Sequence, residues 1–99
     1  MNQQEQNIDL INKGLYVKAY YIASIFGIYS CNKISHPHRL FVLSVLQVSY
    51  IKRIKCGDTT YFHKDESIKY MNKYIKKFKL GKHKINYNNH LWSFNLIRE

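Results

Sequence analysis

The fold of this chain is decided by the stretch Asp65–Leu80, DESIKYMNKYIKKFKL. Its apolar residues are spaced three and four apart: Ile68, Met71, Ile75 and Phe78. This spacing predicts one amphipathic helix that stops at Gly81. Two short strands, Ser67–Tyr70 and Tyr74–Leu80, fit nearly as well, because tyrosine and isoleucine favour strands while lysine favours helices. Both interpretations stay open at the level of sequence.

The C-terminal stretch Lys84–Ile97 has the pattern of a β-hairpin. Its turn is predicted at Asn88-Asn89, because asparagine tolerates the positive φ of a tight turn. This turn predicts two cross-strand pairs: Ile85 with Trp92, and Tyr87 with His90.

Another hairpin is predicted directly before the deciding stretch. Residues 50–55 and 59–63 are rich in β-branched and aromatic side chains. They flank Cys56-Gly57-Asp58, a turn that contains the required glycine.

The N-terminal segment has helical spacing of apolar residues over Ile8–Phe26, and Asn12–Gly14 can break it into two helices. Gly27 follows, where the end of a helix often requires a positive φ. A short strand is predicted over Ile28–Ile34.

A helix is then predicted, with Ser35 as its cap and Pro37 in its first turn. From Leu40 to Val48 the pattern is apolar over much of the helical circumference. This helix is therefore expected to be buried on several sides.

Together these patterns predict an α+β protein in which N-terminal helices pack on a small antiparallel sheet or hairpins. A chain of 99 residues, 45% hydrophobic and 15% aromatic, suffices for one modest core and is too apolar for disorder. No repeat or linker divides it. We therefore expect a single domain over residues 1–99.

The positive charge is concentrated in one part of the chain. Sixteen Lys and Arg against six Asp and Glu give a net charge of +10, and residues 52–84 hold eleven of the bases and three of the acids. Such an excess favours a polyanionic partner, because nearby acids are too few to neutralise the lysines. We expect a nucleic-acid-binding protein rather than an enzyme.

Tyrosines alternate with lysines in this basic segment, which combines phosphate-neutralising charge with rings that can stack on unpaired bases. Lysine outnumbers arginine 13 to 3, which suits phosphate contact better than bidentate base recognition. The alternative is a set of solvated lysines around half-buried tyrosines. The candidate nucleic-acid-binding residues are Lys52, Arg53, Lys69, Tyr70, Lys73, Lys76, Lys77, Lys82 and Lys84.

The sequence gives no sign of catalysis or of a bound cofactor. It contains no Gly-rich phosphate loop and no nucleophile motif, and its acids are too scattered for a general acid/base pair. Cys31, Cys56, His36, His38 and His63 lack the spacing of a zinc finger. We expect no catalytic residue, no metal and no cofactor.

Composition also bears on location. Lys, Ile, Asn and Tyr, which have A/T-rich codons, make up 43 residues, so the gene is expected in the AT-rich genome of an organelle, virus, plasmid or parasite. Two cysteines favour a reducing compartment, and polar Met1–Gln6 resembles neither a signal peptide nor a presequence. The expected location is the mitochondrion, with encoding in the organelle, or alternatively the cytoplasm.

The apolar run Leu15–Tyr29 is shorter than the ~20 residues of a membrane helix, so no membrane association is expected.

Several motifs resemble the family of the small-subunit ribosomal protein numbered eight, in its divergent organellar form. Arg39–Lys55, RLFVLSVLQVSYIKRIK, is similar to the family's helix and its Gly-aromatic-Ile turn into a strand, with Ser49 in place of the Gly. Ile68-Lys69-Tyr70 resembles its Leu-Lys-Tyr strand, residues 75–79 its next basic strand, and Gly81–Tyr87 its Gly, basic residue and Tyr. The family's C-terminal Ser-Thr-Ser-Lys-Gly loop has no counterpart.

This resemblance implies an RNA-binding structural component of a small mitochondrial ribosomal subunit. Its partners would be ribosomal RNA and neighbouring ribosomal proteins. It implies phosphate contacts from Lys52, Arg53, Lys69, Lys76, Lys77, Lys82 and Lys84.

The alternative is a winged-helix DNA-binding regulator from an AT-rich virus or plasmid, because SHPHRLFVLSVL (residues 35–46) also resembles the opening helix of small winged repressors. Asp65–Leu80 would be the recognition helix and Lys84–Ile97 the wing, and a homodimer would bind double-stranded DNA. A viral inhibitor of a host protein is a third class, which no pattern favours. One helix over residues 67–80 favours the winged-helix class, and two strands favour the ribosomal one.

Overall fold

Helices and strands alternate along the chain in the computed structural model, which describes residues 2–31, 35–78 and 80–97. The elements are, in chain order, α1 Gln3–Asn12, β1 Tyr16–Lys18, α2 Ala19–Ile25, β2 Ile28–Ser30, α3 Arg39–Gln47, β3 Arg53–Cys56, β4 Thr59–His63, α4 Lys64–Ile75, β5 Gly81–Tyr87 and β6 His90–Leu96.

The strands form two antiparallel sheets of three strands each. The first sheet has the order β1-β4-β3 and the second the order β2-β6-β5. In the second sheet Ile28 lies opposite Leu96, so a strand from the first third of the chain is paired with its last strand. Helices α2, α3 and α4 and strands of both sheets contribute to one hydrophobic core, which confirms the predicted single α+β domain. Of α1 only the polar Asn7 is buried.

The deciding stretch is a helix, so the two-strand interpretation of Ser67–Tyr70 and Tyr74–Leu80 is wrong. His63 caps the helix, since its Nδ1 accepts a hydrogen bond from the Glu66 amide at 3.2 Å. Glu66 itself lies in the first turn, where a carboxylate interacts favourably with the positive end of the helix dipole. Local propensity was balanced, and burial of one helical face decides the outcome.

This helix, α4, ends at Ile75, earlier than the predicted segment. The next turn tightens, with the Lys77 amide donating to Tyr74 and the Phe78 amide to Ile75. Gly81 was predicted to stop the helix, but it begins β5 instead, with a φ of 123°. Lys79 lies outside the described residues.

The N-terminal segment is broken in two as predicted, but the break also contains a strand that the sequence did not reveal. Val17 pairs with Phe62 of β4. The predicted helical spacing steps from Leu15 to Ala19 across β1, and the pairing of β1 with a distant strand has no local signature. Gly27 has the expected positive φ, at 65°.

The predicted cap of the third helix is wrong. The helix α3 begins at Arg39, and its cap residue is His38, whose side chain makes no capping hydrogen bond. The preceding residues run alongside β2 instead, because the Ser30 amide donates to His36 and the His38 amide to Ile28. Of the predicted strand Ile28–Ile34, Ile28–Ser30 is formed and residues 32–34 lie outside the described residues.

Both predicted hairpins are confirmed. In β5–β6 the turn residues Asn88 and Asn89 have φ of 54° and 63°, and the register is the predicted one: Ile85 with Trp92, and Tyr87 with His90. In β3–β4 the turn is Gly57-Asp58, because Cys56 already pairs with Thr59. The strands begin at Arg53 and Gly81 rather than at the predicted Tyr50 and Lys84.

Aromatic rings join the second sheet to the helices. Phe94 of β6 stacks on Phe41 of α3 with ring centroids 4.2 Å apart. Phe41 in turn contacts Tyr74 and Phe78 at 5.9 and 5.8 Å, so α3, α4 and β6 meet at one ring. Aromatic contacts of this kind add about 0.5–1.5 kcal/mol each beyond the buried area.

His38 extends this cluster, since its ring stacks on Phe94 at 6.0 Å with an interplanar angle of 13°. The residue is 8% exposed, and its Nε2 has no hydrogen-bond partner within the described part of the chain. Burial lowers the pKa of this imidazole below its ordinary value of 6.5. The ring is therefore neutral in the folded protein at neutral pH.

We expect the protein to lose stability as the pH falls below the ordinary pKa of His38. His38 then binds a proton in the unfolded chain but stays neutral in the folded chain, so the free energy of unfolding decreases with decreasing pH. His38→Phe keeps the ring stack and should flatten this part of the pH dependence. Denaturant unfolding of both proteins between about pH 8 and pH 5 measures the difference. Identical slopes would contradict a buried neutral His38.

Gly27 has a second constraint besides its positive φ. A Cβ atom at this position would overlap the Ile97 carbonyl oxygen, whereas a Cβ at Gly57, with a φ of 63°, would meet no atom within 4 Å. Gly57→Ala should cost about 1–2 kcal/mol for the left-handed backbone alone. Gly27→Ala should cost clearly more, because it also separates β2 from β6. Thermal unfolding of the two variants makes the comparison, and equal losses would contradict the close approach.

Candidate nucleic-acid interface

Five of the candidate binding residues lie on one exposed face that is formed by α4 and the turn after it. Opposite them Ser67, Met71 and Ile75 are buried against the core. At 3.6 residues per turn, the exposed set covers about a third of the helical circumference. The structure therefore brings together Lys69, Tyr70, Lys73, Lys76 and Lys77, all exposed.

The charge along this face changes sign from one end to the other. Asp65 and Glu66 occupy the first turn, while the lysines follow from position 69 onward. Among the described residues, Lys13 pairs with Asp9, and His63 contacts Glu66 in a pair that is ionic only when the imidazole is protonated, so none of these lysines has an acidic partner there. The positive charge of this face therefore lies from position 69 onward.

The two candidate lysines of the hairpin lie on one face of β5. Lys82 and Lys84 are exposed and alternate with His83, Ile85 and Tyr87, which are partly buried. Cross-strand partners share a face of the sheet, and those of Lys82 and Lys84 are Asn95 and Ser93. This outer face of the hairpin is basic at the start of β5, whereas the exposed Leu91, opposite Asn86, makes it apolar near the turn.

A row of neighbours joins the two sets of lysines. Lys76 and Tyr29 line the same shallow groove at the C-terminal end of α4. Tyr29 lies opposite Asn95, and Asn95 lies opposite Lys82. We call the exposed face of α4 and of the turn after it, together with the outer face of β5, the basic surface. It consists of Lys69, Tyr70, Lys73, Lys76, Lys77, Lys82 and Lys84.

Arg53 is a candidate that the structure places in a different role. Its Nη2 donates to the carbonyl oxygens of Leu46 at 3.0 Å and Ser49 at 2.7 Å, and its Nε to Ile51 at 3.3 Å. The guanidinium also lies over the Phe62 ring, 5.1 Å from its centroid. Arg53 thus caps the C-terminal end of α3, where cations are favourable.

Lys52, the neighbouring candidate, is exposed and lies on the loop before β3. Its backbone carbonyl accepts a hydrogen bond from the His63 amide at 2.9 Å, which places it beside the start of α4. It is therefore separate from the lysines of the basic surface, which follow the first turn of that helix.

The possible metal ligands are divided between several places. Cys31, His36 and His38 line one groove, whereas Cys56 and His63 lie at opposite ends of the β3–β4 hairpin. Within residues 2–31, 35–78 and 80–97 no three His, Cys, Asp or Glu side chains are arranged to hold a metal ion. Both cysteines are free thiols.

Comparisons with protein-family profiles, with curated proteins and with solved structures gave no match to this chain. None of the helices in the described ranges is long and apolar enough to cross a membrane. The functional assignment therefore depends on the topology and on the basic surface.

We expect Arg53→Met to lower the free energy of unfolding by about 1–2 kcal/mol, because three carbonyl groups lose a charged donor. Lys52→Met, which removes the same charge from the adjacent residue, should have little effect on stability. Denaturant unfolding of the two variants tests this assignment. Equal stability of both variants would contradict a capping role for Arg53.

Proposed function

We propose that this protein is a DNA-binding regulator of the winged-helix class. The observation that carries the proposal is the order α2-β2-α3-α4-β5-β6 that remains when the inserted hairpin β3–β4 is set aside, together with the strand order β2-β6-β5. Three helices followed by a hairpin, with the strand after the first helix paired to the last strand, is the arrangement expected of a winged helix. In this proposal α4 is the recognition helix and β5–β6 is the wing.

The packing of α4 supports this role. The helix contacts α2 and α3, and its contact with α3 runs through Tyr74, which meets Phe41. A helix held in this way on one side leaves its opposite face free to enter a groove of DNA. That free face is the basic surface, with Lys69 and Lys73 one turn apart.

The chain departs from a simple helix-turn-helix in one respect. The hairpin β3–β4 stands between α3 and α4 in place of a short turn. This insertion pairs with β1, and α1 contacts both β1 and β3. The proposed DNA-binding unit therefore carries a second small sheet beside the start of its recognition helix.

The residue types support binding dominated by phosphates. Lysine neutralises a phosphate as a point charge, whereas bidentate recognition of guanine uses arginine. The one arginine among the candidates, Arg53, is engaged by backbone carbonyls. We infer that affinity comes chiefly from counterion release, and that a homodimer would add specificity through the spacing of two half-sites.

A ribosomal RNA-binding role in a small mitochondrial subunit is the second candidate. It is favoured by the element order from α2 to β4, which is the helix, strand, helix, strand, strand of the ribosomal family that the sequence resembles. Against it, Ile68-Lys69-Tyr70 lies in a helix where that resemblance implies a strand. The same lysines would contact RNA phosphates, so the two candidates differ in the ligand and not in the surface.

The double variant Lys76→Ala with Lys77→Ala tests the proposed surface. Two lost phosphate contacts should weaken binding to duplex DNA and reduce the slope of log affinity against log salt by about 1–2 units. Fluorescence anisotropy over a series of salt concentrations measures the slope. A structured RNA of similar length, titrated in parallel, distinguishes the two candidate functions by which ligand is bound more tightly.

The matched control is Lys13→Ala with Lys55→Ala, which removes the same net charge away from the basic surface. Lys13 is paired with Asp9 at 2.9 Å, and Lys55 is exposed on β3. The control should leave the salt slope nearly unchanged. If both double variants change the slope equally, the effect is one of total charge and the proposed surface is wrong.

A further inference from the structure

The loop between α3 and β3 presents an aromatic side chain completely to solvent. Tyr50 has a relative exposure of 103% and Val48 of 79%, the two highest values among the exposed large hydrophobic residues of the described chain. Between and after them Ser49 and Ile51 are 9% exposed. Buried and exposed residues therefore alternate along the loop, which we define as residues 48–52.

This loop is held in place from within. The Ser49 hydroxyl donates to the Leu46 carbonyl at 2.6 Å, and the Arg53 guanidinium donates to three carbonyls of residues 46, 49 and 51. The buried Ile51 side chain anchors the loop in the core. Tyr50 is thus exposed on a constrained backbone, and a constrained backbone lowers the entropic cost of binding.

Two binding elements of the proposed function lie beside this loop. The tip of the wing is attached to its start, because the Tyr87 hydroxyl donates to the Gln47 side chain at 3.0 Å. The start of α4 is attached to the C-terminal end of the loop, because the His63 amide donates a hydrogen bond to the Lys52 carbonyl. The loop therefore lies between the wing tip and the recognition helix.

The local charge favours a nucleic acid as the occupant. Residues 47–54 contain Lys52 and Arg53 and no acid. The nearby acids are Asp58, which lines a groove with Gln47, and Asp65 and Glu66 in the first turn of α4. Because Arg53 is engaged by the backbone, Lys52 is the cation next to Tyr50 that remains able to contact a phosphate.

We propose that Tyr50 stacks on an unpaired base, so that the protein prefers a DNA duplex that continues into a single strand. This inference rests on the proposed function and names the class of DNA bound. Every base has a π-face, and stacking on an aromatic side chain requires no particular sequence. Lys52 contacts the phosphate of the stacked nucleotide.

An unpaired base is favoured over a paired one for an energetic reason. Bases inside a duplex are already stacked, and opening a step to admit a side chain costs a few kcal/mol. Tyr50, with Val48 as the other exposed apolar residue of the loop, would gain by stacking about as much free energy as the opening of the duplex step costs. A base at the end of a duplex offers its face without that cost.

The test compares a blunt DNA duplex with the same duplex that carries a single-stranded tail. Wild type should bind the tailed duplex more tightly, and Tyr50→Ala should lower affinity for it by about five- to 150-fold while blunt-duplex affinity stays the same. Tyr50→Phe should retain the preference. A fluorescent 2-aminopurine as the first unpaired base should be quenched by wild type and by Tyr50→Phe but not by Tyr50→Ala.

Tyr20→Ala is the matched control, because Tyr20 is 53% exposed on α2 and should have no effect on either ligand. Equal losses for Tyr50→Ala on both duplexes, or no loss on either, would overturn the stacking proposal. A change of oligomeric state in Tyr50→Ala would also overturn it, since the loop would then be a contact between copies of the chain. Binding of single strands without binding of blunt duplex would refute the winged-helix function and leave the stacking site standing.

Discussion

The pairing of β2 with β6 is the constraint on which the rest of the domain depends. It joins residues near the start of the chain to residues near its end, and the Ile97 amide continues it by donating to Gly27 at 3.1 Å. This pairing places Phe94 and Leu96 under the helices, where both are buried. Without it, the hairpin β5–β6 would be an isolated two-stranded ribbon, which is marginal in water.

The same constraint determines which side of α4 is exposed. Phe94 contacts Phe41, and Phe41 contacts Tyr74 and Phe78. Once these rings are packed, the lysines of α4 must point away from the core, because burying an unpaired ammonium group is costly. The basic surface is therefore a consequence of how the core is filled. Any nucleic acid that binds there contacts a face whose rigidity comes from the aromatic cluster.

What could be predicted from the sequence was whatever has a local cause. The Asn88-Asn89 turn fixed its own register. The apolar pattern from Leu40 to Val48 indicated the helix α3, although its buried residues are confined to Phe41, Val42, Val45 and Leu46, and Val48 is exposed. The strand β1 and the start of α3 were missed or misplaced, because both depend on partners distant in sequence: Val17 on Phe62, and His38 on Ile28. No propensity scale contains that information.

The sequence likewise revealed the features of the candidate site that have a local cause and missed those that depend on tertiary contacts. The lysines of α4 were found because charge and helical spacing coincide in one segment. Arg53 was assigned to phosphates on charge alone, although its guanidinium lies within reach of three carbonyls at the end of α3. Tyr50 was placed at the start of a predicted strand, and its exposure was missed because a sequence does not tell whether a tyrosine is buried or fully exposed. Both errors have one cause, since the hydrogen bonds from Arg53 to residues 46, 49 and 51 depend on the tertiary structure. They engage the guanidinium and fix the loop on which Tyr50 is exposed.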